Sequence, residues 1–272
     1  MKKILCPTDF SDAAHGAIAY AAKLAQATNG ELTLLHVQSM FDVIPVEIMR
    51  SSPMTIREIA ERLEYQSREV TKAFKVSCHA EVKSGFSKLS SVIRDKGKDF
   101  DLIVMGSDGP DDLYQFFAGS NTYNASKTSD IPLLIIPSGY VYVEIKKIIY
   151  AYDYLSERNL PLARLIPWIK ALNCELTVLQ VMEEAYSKEA EDDLKELQFI
   201  IRTMIGHELK CKYDTIRSSD IAQAINSYMI RTQPDALALC SIHRNLVERI
   251  FHKSIIRRIS AICNYPVFVF HR

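Results

Sequence analysis

Short apolar runs punctuate the chain at regular intervals, and longer stretches with helical periodicity lie between them. Ile4-Leu5-Cys6, Leu32 to Val37, Leu102 to Met105 and Leu133 to Ile136 are continuous and bounded by polar residues. That pattern predicts strands covered on both faces. Cys78 to Val82 alternates and predicts a fifth strand. Between the runs, Ser11 or Asp12 offers an N-cap for an Ala-rich helix that stops at Asn29-Gly30. Ser51 and Ser52 before Pro53 predict the start of a second helix, with Ile56, Ile59, Leu63, Val70 and Phe74 on one face. Ser87 can cap a third carrying Leu89, Val92 and Ile93, and a short helix is expected after Gly119-Ser120.

The pattern occurs twice. "KKILCPTD" at Lys2 returns as "KKIIYAYD" at Lys146, and "NGELTLLHV" at Asn29 returns as "NCELTVLQV" at Asn173, both at an offset of 144. "DLIVMGSDG" at Asp101 aligns with "DALALCSIH" at Asp235, and "DIPLLIIP" at Asp130 with "NYPVFVFH" at Asn264, at an offset of 134. The second copy is therefore ten residues shorter in its middle. Its long helix, 188 to 205, opens with acidic residues and carries apolar ones at 190, 194, 197, 201 and 204. We read a tandem duplication, 1–140 and 145–272, joined near Gly139 to Ile145. Strands alternating with helices predict an α/β fold: two tandem open parallel five-stranded sheets with helices on both faces.

Composition narrows the function. Hydrophobic residues make up 48% and charged residues 24% of the 272, the balance of a soluble globular protein. Lys plus Arg equals Asp plus Glu at 33 each, so no global field favours nucleic acid or an anionic membrane. The N-terminus carries too short an apolar core for a signal peptide, and no stretch approaches a membrane span. The six cysteines form no CxxC pair, so buried reduced thiols in a cytoplasmic protein are expected.

Candidate chemistry concentrates in "MGSDGPDDLYQFFAGSN", residues 105 to 121. In an open parallel sheet, ligands bind beyond the carboxyl ends of the strands where the strand order reverses. Asp9 falls just past the first strand and Gly106 just past the fourth. If those strands are neighbours, one crevice collects Asp9, Val37, Gly106, Gly109, Gly119 and Ser120. The glycines let backbone turn and approach a ligand. Gly119-Ser120 opens a helix whose free N–H groups can cradle an anion. Asp9 could accept from a ribose hydroxyl or hold a metal ion.

Gly106-x2-Gly109-x9-Gly119-Ser120, with "ILCPTDFSD", "LLHV" and "IPLLIIP" in order, resembles the universal stress protein family. The resemblance covers the first copy fully and the second more weakly. It implies strand order 3-2-1-4-5 and, in the ATP-binding branch, a site of named parts. Asp9 stands near the ribose, the Val37 backbone at the adenine, and Pro7 and Thr8 count among the binding residues. Gly106, Gly109, Gly119, Ser120, Asn121 and Thr122 stand at the phosphates. It also implies dimerisation through the last strand, which a tandem chain can satisfy internally as a pseudo-dimer. "GYVYVEI" (139–145) alternates and could extend that strand.

Two departures bear on binding. Asp108, Asp111 and Asp112 lie in the loop, where ATP binders of the family commonly carry cations. An unscreened carboxylate near a phosphate costs on the order of 1 kcal/mol or more. Magnesium bridging acids and phosphates would reverse the sign. In the second copy Asp153 matches Asp9, but Cys240, His243 and Lys253 replace Gly106, Gly109 and Gly119, leaving only Ser254. A nucleotide site of the same kind is not expected there.

Cys240, His243 and His252 lack a fourth ligand at metal-like spacing and predict no metal site. His15 and His36 read as structural, and Trp168 as core. No assembled nucleophile–base pair is visible, so no dedicated enzyme is expected, slow ATP hydrolysis aside. The expected function is a cytoplasmic stress-response sensor or regulator holding an adenine nucleotide, ATP with or without magnesium, in the first copy. The rival reading is a ligand-free scaffold with both crevices vestigial. Neither nucleic acid nor membrane is an expected partner; a homodimer of whole chains is compatible with the sequence.

Overall fold

A computed structural model describes residues 2–39, 54–85, 89–107, 131–152, 160–182, 188–205, 210–241 and 264–271. The first half runs β1 (Lys3–Pro7), α1 (Asp12–Ala27), β2 (Glu31–Ser39), α2 (Ile56–Phe74), β3 (Ser77–Gly85), α3 (Leu89–Lys96), β4 (Leu102–Ser107) and β5 (Leu133–Pro137). The second runs β6 (Lys147–Tyr152), α4 (Leu160–Leu172), β7 (Glu175–Met182), α5 (Lys188–Ile205), β8 (Cys211–Arg217), α6 (Ile221–Thr232), β9 (Ala236–Ser241) and β10 (Val267–His271). All five expected strands of the first half are present. Ser87 and the helix expected after Ser120 lie outside the described residues.

The helix ends follow local chemistry. Ser11 caps α1 by accepting the Ala14 N–H, a bond that stabilises a helix by about 1 kcal/mol. The second helix begins later than Ser51 and Ser52 suggest. Thr55 caps it and Glu58 reaches back to the Thr55 N–H, a reciprocal box that fixes the first turn at Ile56. Ile56 therefore precedes the buried stripe and is 53% exposed, while Ile59, Leu63 and Val70 face the core. α2 stops at Lys75, which adopts a left-handed φ of 57°.

Strand order is β3-β2-β1-β4-β5-β10-β9-β6-β7-β8, a single ten-stranded sheet. Each half thus has the order 3-2-1-4-5, all neighbours within a half being parallel. The halves meet where β5 and β10 pair antiparallel, with Leu133, Leu134 and Ile135 opposite Val269, Phe268 and Val267. The two expected sheets are fused into one, and the pseudo-dimer contact is internal. "GYVYVEI" does not extend β5. Ser138 and Gly139 turn, with Gly139 at φ +72°, and residues 140 to 146 form no ladder. Tyr140 and Tyr142 pack instead on Tyr20 of α1, at ring centroid distances of 6.1 and 4.9 Å.

Alternation along the strands feeds two cores that run through both halves. Ile4, Cys6, Leu34, Val104 and Leu134 share one core with Tyr150, Phe268 and Phe270, under α1, α2, α4 and α5. Leu5, Leu35, Ile103 and Ile135 share the other with Ile149, Leu237 and Val269, beneath α3 and α6. Trp168 is 1% exposed, in the core as expected, with Lys2 of the first half 4.8 Å above its ring.

Candidate functional site

β1 lies between β2 and β4, with Ile4 opposite Leu102 and Leu5 opposite Ile103. Chain direction into the sheet reverses here: the strands to one side follow β1 in order, and β4 arrives on the other. The carboxyl ends of β1, β2 and β4 therefore frame a crevice of about 180 Å³. Pro7, Thr8, Asp9, Val37 and Gly106 all line it. Gly109, Gly119, Ser120, Asn121 and Thr122 lie outside the described residues, as do Asp108, Asp111 and Asp112.

The turn from β1 into α1 is held by its own side chains. Phe10 takes a left-handed φ of 65°, uncommon for an aromatic residue. Three bonds hold it there. The Thr8 N–H donates to the Leu35 carbonyl at 2.8 Å, the Phe10 N–H donates to Thr8 Oγ1 at 3.1 Å, and the Ser11 N–H donates to Asp9 Oδ1 at 2.9 Å. Partial burial alone would raise the Asp9 pKa. Bonds donated by Ser11 outweigh it and hold the carboxyl below the usual aspartate range, so Asp9 is anionic at neutral pH.

Gly106 does something other than what the glycine pattern suggests. It sits within β4, opposite Ile136, and a Cβ there would lie 2.2 Å from the Ala13 carbonyl oxygen. Its bareness admits the first turn of α1, which brings Ala13 and Ala14 to the crevice wall. Leu35, Val37, Leu89 and Met105 add apolar surface. The result is a pocket with an apolar side and an acidic, helix-N-terminal side, the make-up of a small-molecule site.

Sequence reasoning missed His36, which also lines the crevice. Its Nδ1 lies 2.8 Å from the Thr8 carbonyl, and its ring stacks on Phe10 at 4.9 Å. Arg62 of α2 lies 4.2 Å over the same phenyl ring. The available signal was position: His36 immediately precedes Val37 at the end of a strand whose carboxyl edge faces the crevice. His15 is exposed, its Nδ1 2.8 Å from the Ser11 carbonyl, a helix-local contact.

The second half differs at matching positions. Tyr152 stands for Thr8, Gln180 for His36 and Cys240 for Gly106. Tyr152 is 6% and Gln180 1% exposed. Cys240 lies on β9; Asp153, His243, His252, Lys253 and Ser254 fall outside the described residues.

The description "Universal stress protein family" belongs to the family model that matches residues 1–137. Two universal stress proteins of Methanocaldococcus jannaschii are similar to this chain. One is 27% identical over 154 residues, half of this chain and 94% of its own length; the other is 28% identical over 142 residues, half of this chain and 81% of its own. Among solved structures, a universal stress protein from Archaeoglobus fulgidus shares the fold over 99% of this chain and 98% of its own, with a TM-score of 0.71 and 17% identity. A putative universal stress protein from Pseudomonas aeruginosa matches over 100% and 93%, at 0.58 and 13%. No helix among the described residues is long and apolar enough to cross a membrane.

Proposed function

This chain belongs to the universal stress protein family, and from that premise we propose that it binds an adenine nucleotide in its N-terminal half and acts as a cytoplasmic stress-response sensor or regulator. The observation that carries the reading is the crevice at the β1–β4 switch, where Pro7, Thr8, Asp9, Val37 and Gly106 converge. The apolar side takes the base, the anionic Asp9 takes ribose hydroxyls, and the glycine loop closing with Ser120 takes the phosphates. ATP is the proposed nucleotide. Asp108, Asp111 and Asp112 would hold magnesium, which would offset their charge against the phosphates.

Turnover is slow in this reading. Asp9 already accepts from Ser11, and His36 Nδ1 is already committed to the Thr8 carbonyl. In this reading the acceptor capacity they keep serves the ribose at the nucleoside end, not a water at the phosphates. The second half serves as scaffold. Tyr152, Gln180 and Cys240 replace Thr8, His36 and Gly106 there, and its last strand completes the central pairing with β5. Association of whole chains, if they form a homodimer, must use a surface other than the edge of β5.

Titration calorimetry with ATP, with and without magnesium, beside a Gly119→Lys variant that imitates the second half, tests the reading. Binding that requires magnesium and is lost in the variant is the expected result. No heat at millimolar ATP in either condition removes the nucleotide and leaves the ligand-free scaffold.

A further inference from the structure

His36 is fixed more completely than a packing residue needs to be, and one of its two nitrogens is left over. A carbonyl oxygen can only accept, so the 2.8 Å contact with Thr8 places the proton on Nδ1. In the neutral ring, Nε2 is then an acceptor. The stack on Phe10, itself covered by the Arg62 guanidinium, sets the ring plane. Among the described residues Nε2 has no hydrogen-bond partner, and His36 lines the crevice beside Asp9.

The same wall therefore carries two acceptors, the Asp9 carboxylate and an imidazole nitrogen. Their complement is a group with two neighbouring donors. A phosphate has none, and adenine sets acceptor nitrogens beside its one amino group. A vicinal diol offers two hydroxyl donors on adjacent carbons. We propose that His36 is a ligand-recognition residue, accepting through Nε2 a hydrogen bond from one hydroxyl of a ribose whose other hydroxyl faces Asp9. The crevice thereby distinguishes ribonucleotides from deoxyribonucleotides. The second half, with Gln180 at the matching position, has no such imidazole. This inference rests on the nucleotide reading above and deepens it.

The test compares ATP with its 2′-deoxy and 3′-deoxy analogues on the intact chain and on His36→Phe, which keeps an aromatic ring against Phe10 and removes both nitrogens. In the wild type, loss of one of the two hydroxyls weakens binding about tenfold. In His36→Phe that penalty disappears, while the penalty for the other hydroxyl persists. Equal penalties in both proteins overturn the role of His36 and leave nucleotide binding standing. Failure of the wild type to bind any of the three overturns both. A second measurement is independent of ligand and of the variant's folding. In unliganded wild-type protein brought to the neutral imidazole form, the ¹⁵N shifts of His36 must place the ring proton on Nδ1 and leave Nε2 bare. A proton there overturns the proposal.

Discussion

The bare Cα of Gly106 faces the Ala13 carbonyl so closely that any Cβ would stand 2.2 Å from its oxygen and 2.4 Å from its carbon. Both are backbone atoms, so no rotamer change relieves the contact. The first glycine of the loop pattern is thus a condition for seating α1 on β4, and only through that does it shape the crevice. The second half has Cys240 at the matching place.

Gly106→Ala is accordingly expected to destabilise the protein by about 1–3 kcal/mol, the range for forcing atoms into a filled interior. Nucleotide affinity should fall with it, because Ala13 and Ala14 line the site. Gly16→Ala is the control. A Cβ at Gly16 meets nothing within 4 Å, and alanine in a helix interior is favoured by roughly 0.5–1 kcal/mol over glycine. Chemical denaturation should move the two midpoints in opposite directions.

A second pair of matching positions bears on stability alone. Asp101 Oδ2 accepts from the Lys3 N–H at 2.8 Å, and Asp235 Oδ2 accepts from the N–H groups of Lys146 and Lys147, both at 2.8 Å. Each aspartate ties the start of a fourth strand to the start of a first. Asp235→Ala leaves two backbone donors unanswered, where Asp101→Ala leaves one and removes a long contact with the Lys2 ammonium at 3.7 Å. The expected cost is about 1–3 kcal/mol for Asp235→Ala, and less for Asp101→Ala. Denaturant midpoints of the two variants check the order.

Much of this was legible because each half is built from local signals. Apolar runs gave the strands, and Ser11 and Asn29-Gly30 marked the ends of α1. The internal repeat gave the two halves. Three features were not legible, each for a physical reason. Thr55 and Glu58 set the start of α2 through a reciprocal bond that competes with Ser51 and Ser52 only once geometry is known. "GYVYVEI" alternates because Tyr140 and Tyr142 face α1 and Val141 and Val143 face solvent; alternation of that kind records one covered side and is silent on hydrogen-bond partners. His36 looked structural because a histidine in an apolar strand usually is. Its place in the crevice depends on β1 ending at Pro7, opposite Leu35, while β2 runs on to Ser39.

Asp9 gives the site a pH signature with a defined sign. Its carboxyl titrates below the unfolded value of about 3.9, so the folded state binds the proton less tightly than the unfolded state. The contribution to stability is fully present above that value and is lost as pH falls through the depressed folded value. Asp9→Asn should remove this component of acid sensitivity without changing stability's dependence on pH near neutrality. Carboxyl ¹³C titration of the wild type should give a midpoint under 3.9 for this residue; a midpoint at or above it contradicts the Ser11 bonds as the dominant influence.

The seam between the halves makes the last prediction. Leu133, Leu134 and Ile135 are at most 4% exposed, and their strand is covered on its outer edge by β10. Residues 1–140 alone would present that edge as a row of open N–H and C=O groups flanked by apolar side chains, a template for another strand. β10 is itself the fifth strand of a half with the same order, and it runs antiparallel to β5. A second copy of β5 can therefore take its place by a two-fold rotation, giving an isologous contact. The isolated N-terminal half should form a concentration-dependent dimer in sedimentation experiments, and Ile135→Pro, which removes an N–H facing that edge opposite Val267, should weaken it. In the intact chain the same edge is already satisfied, so Ile135→Pro there should lower thermal stability without changing the oligomeric state. A half that stays monomeric at every concentration would mean that the fused sheet owes its pairing to the covalent join and not to the complementarity of β5 with a fifth strand.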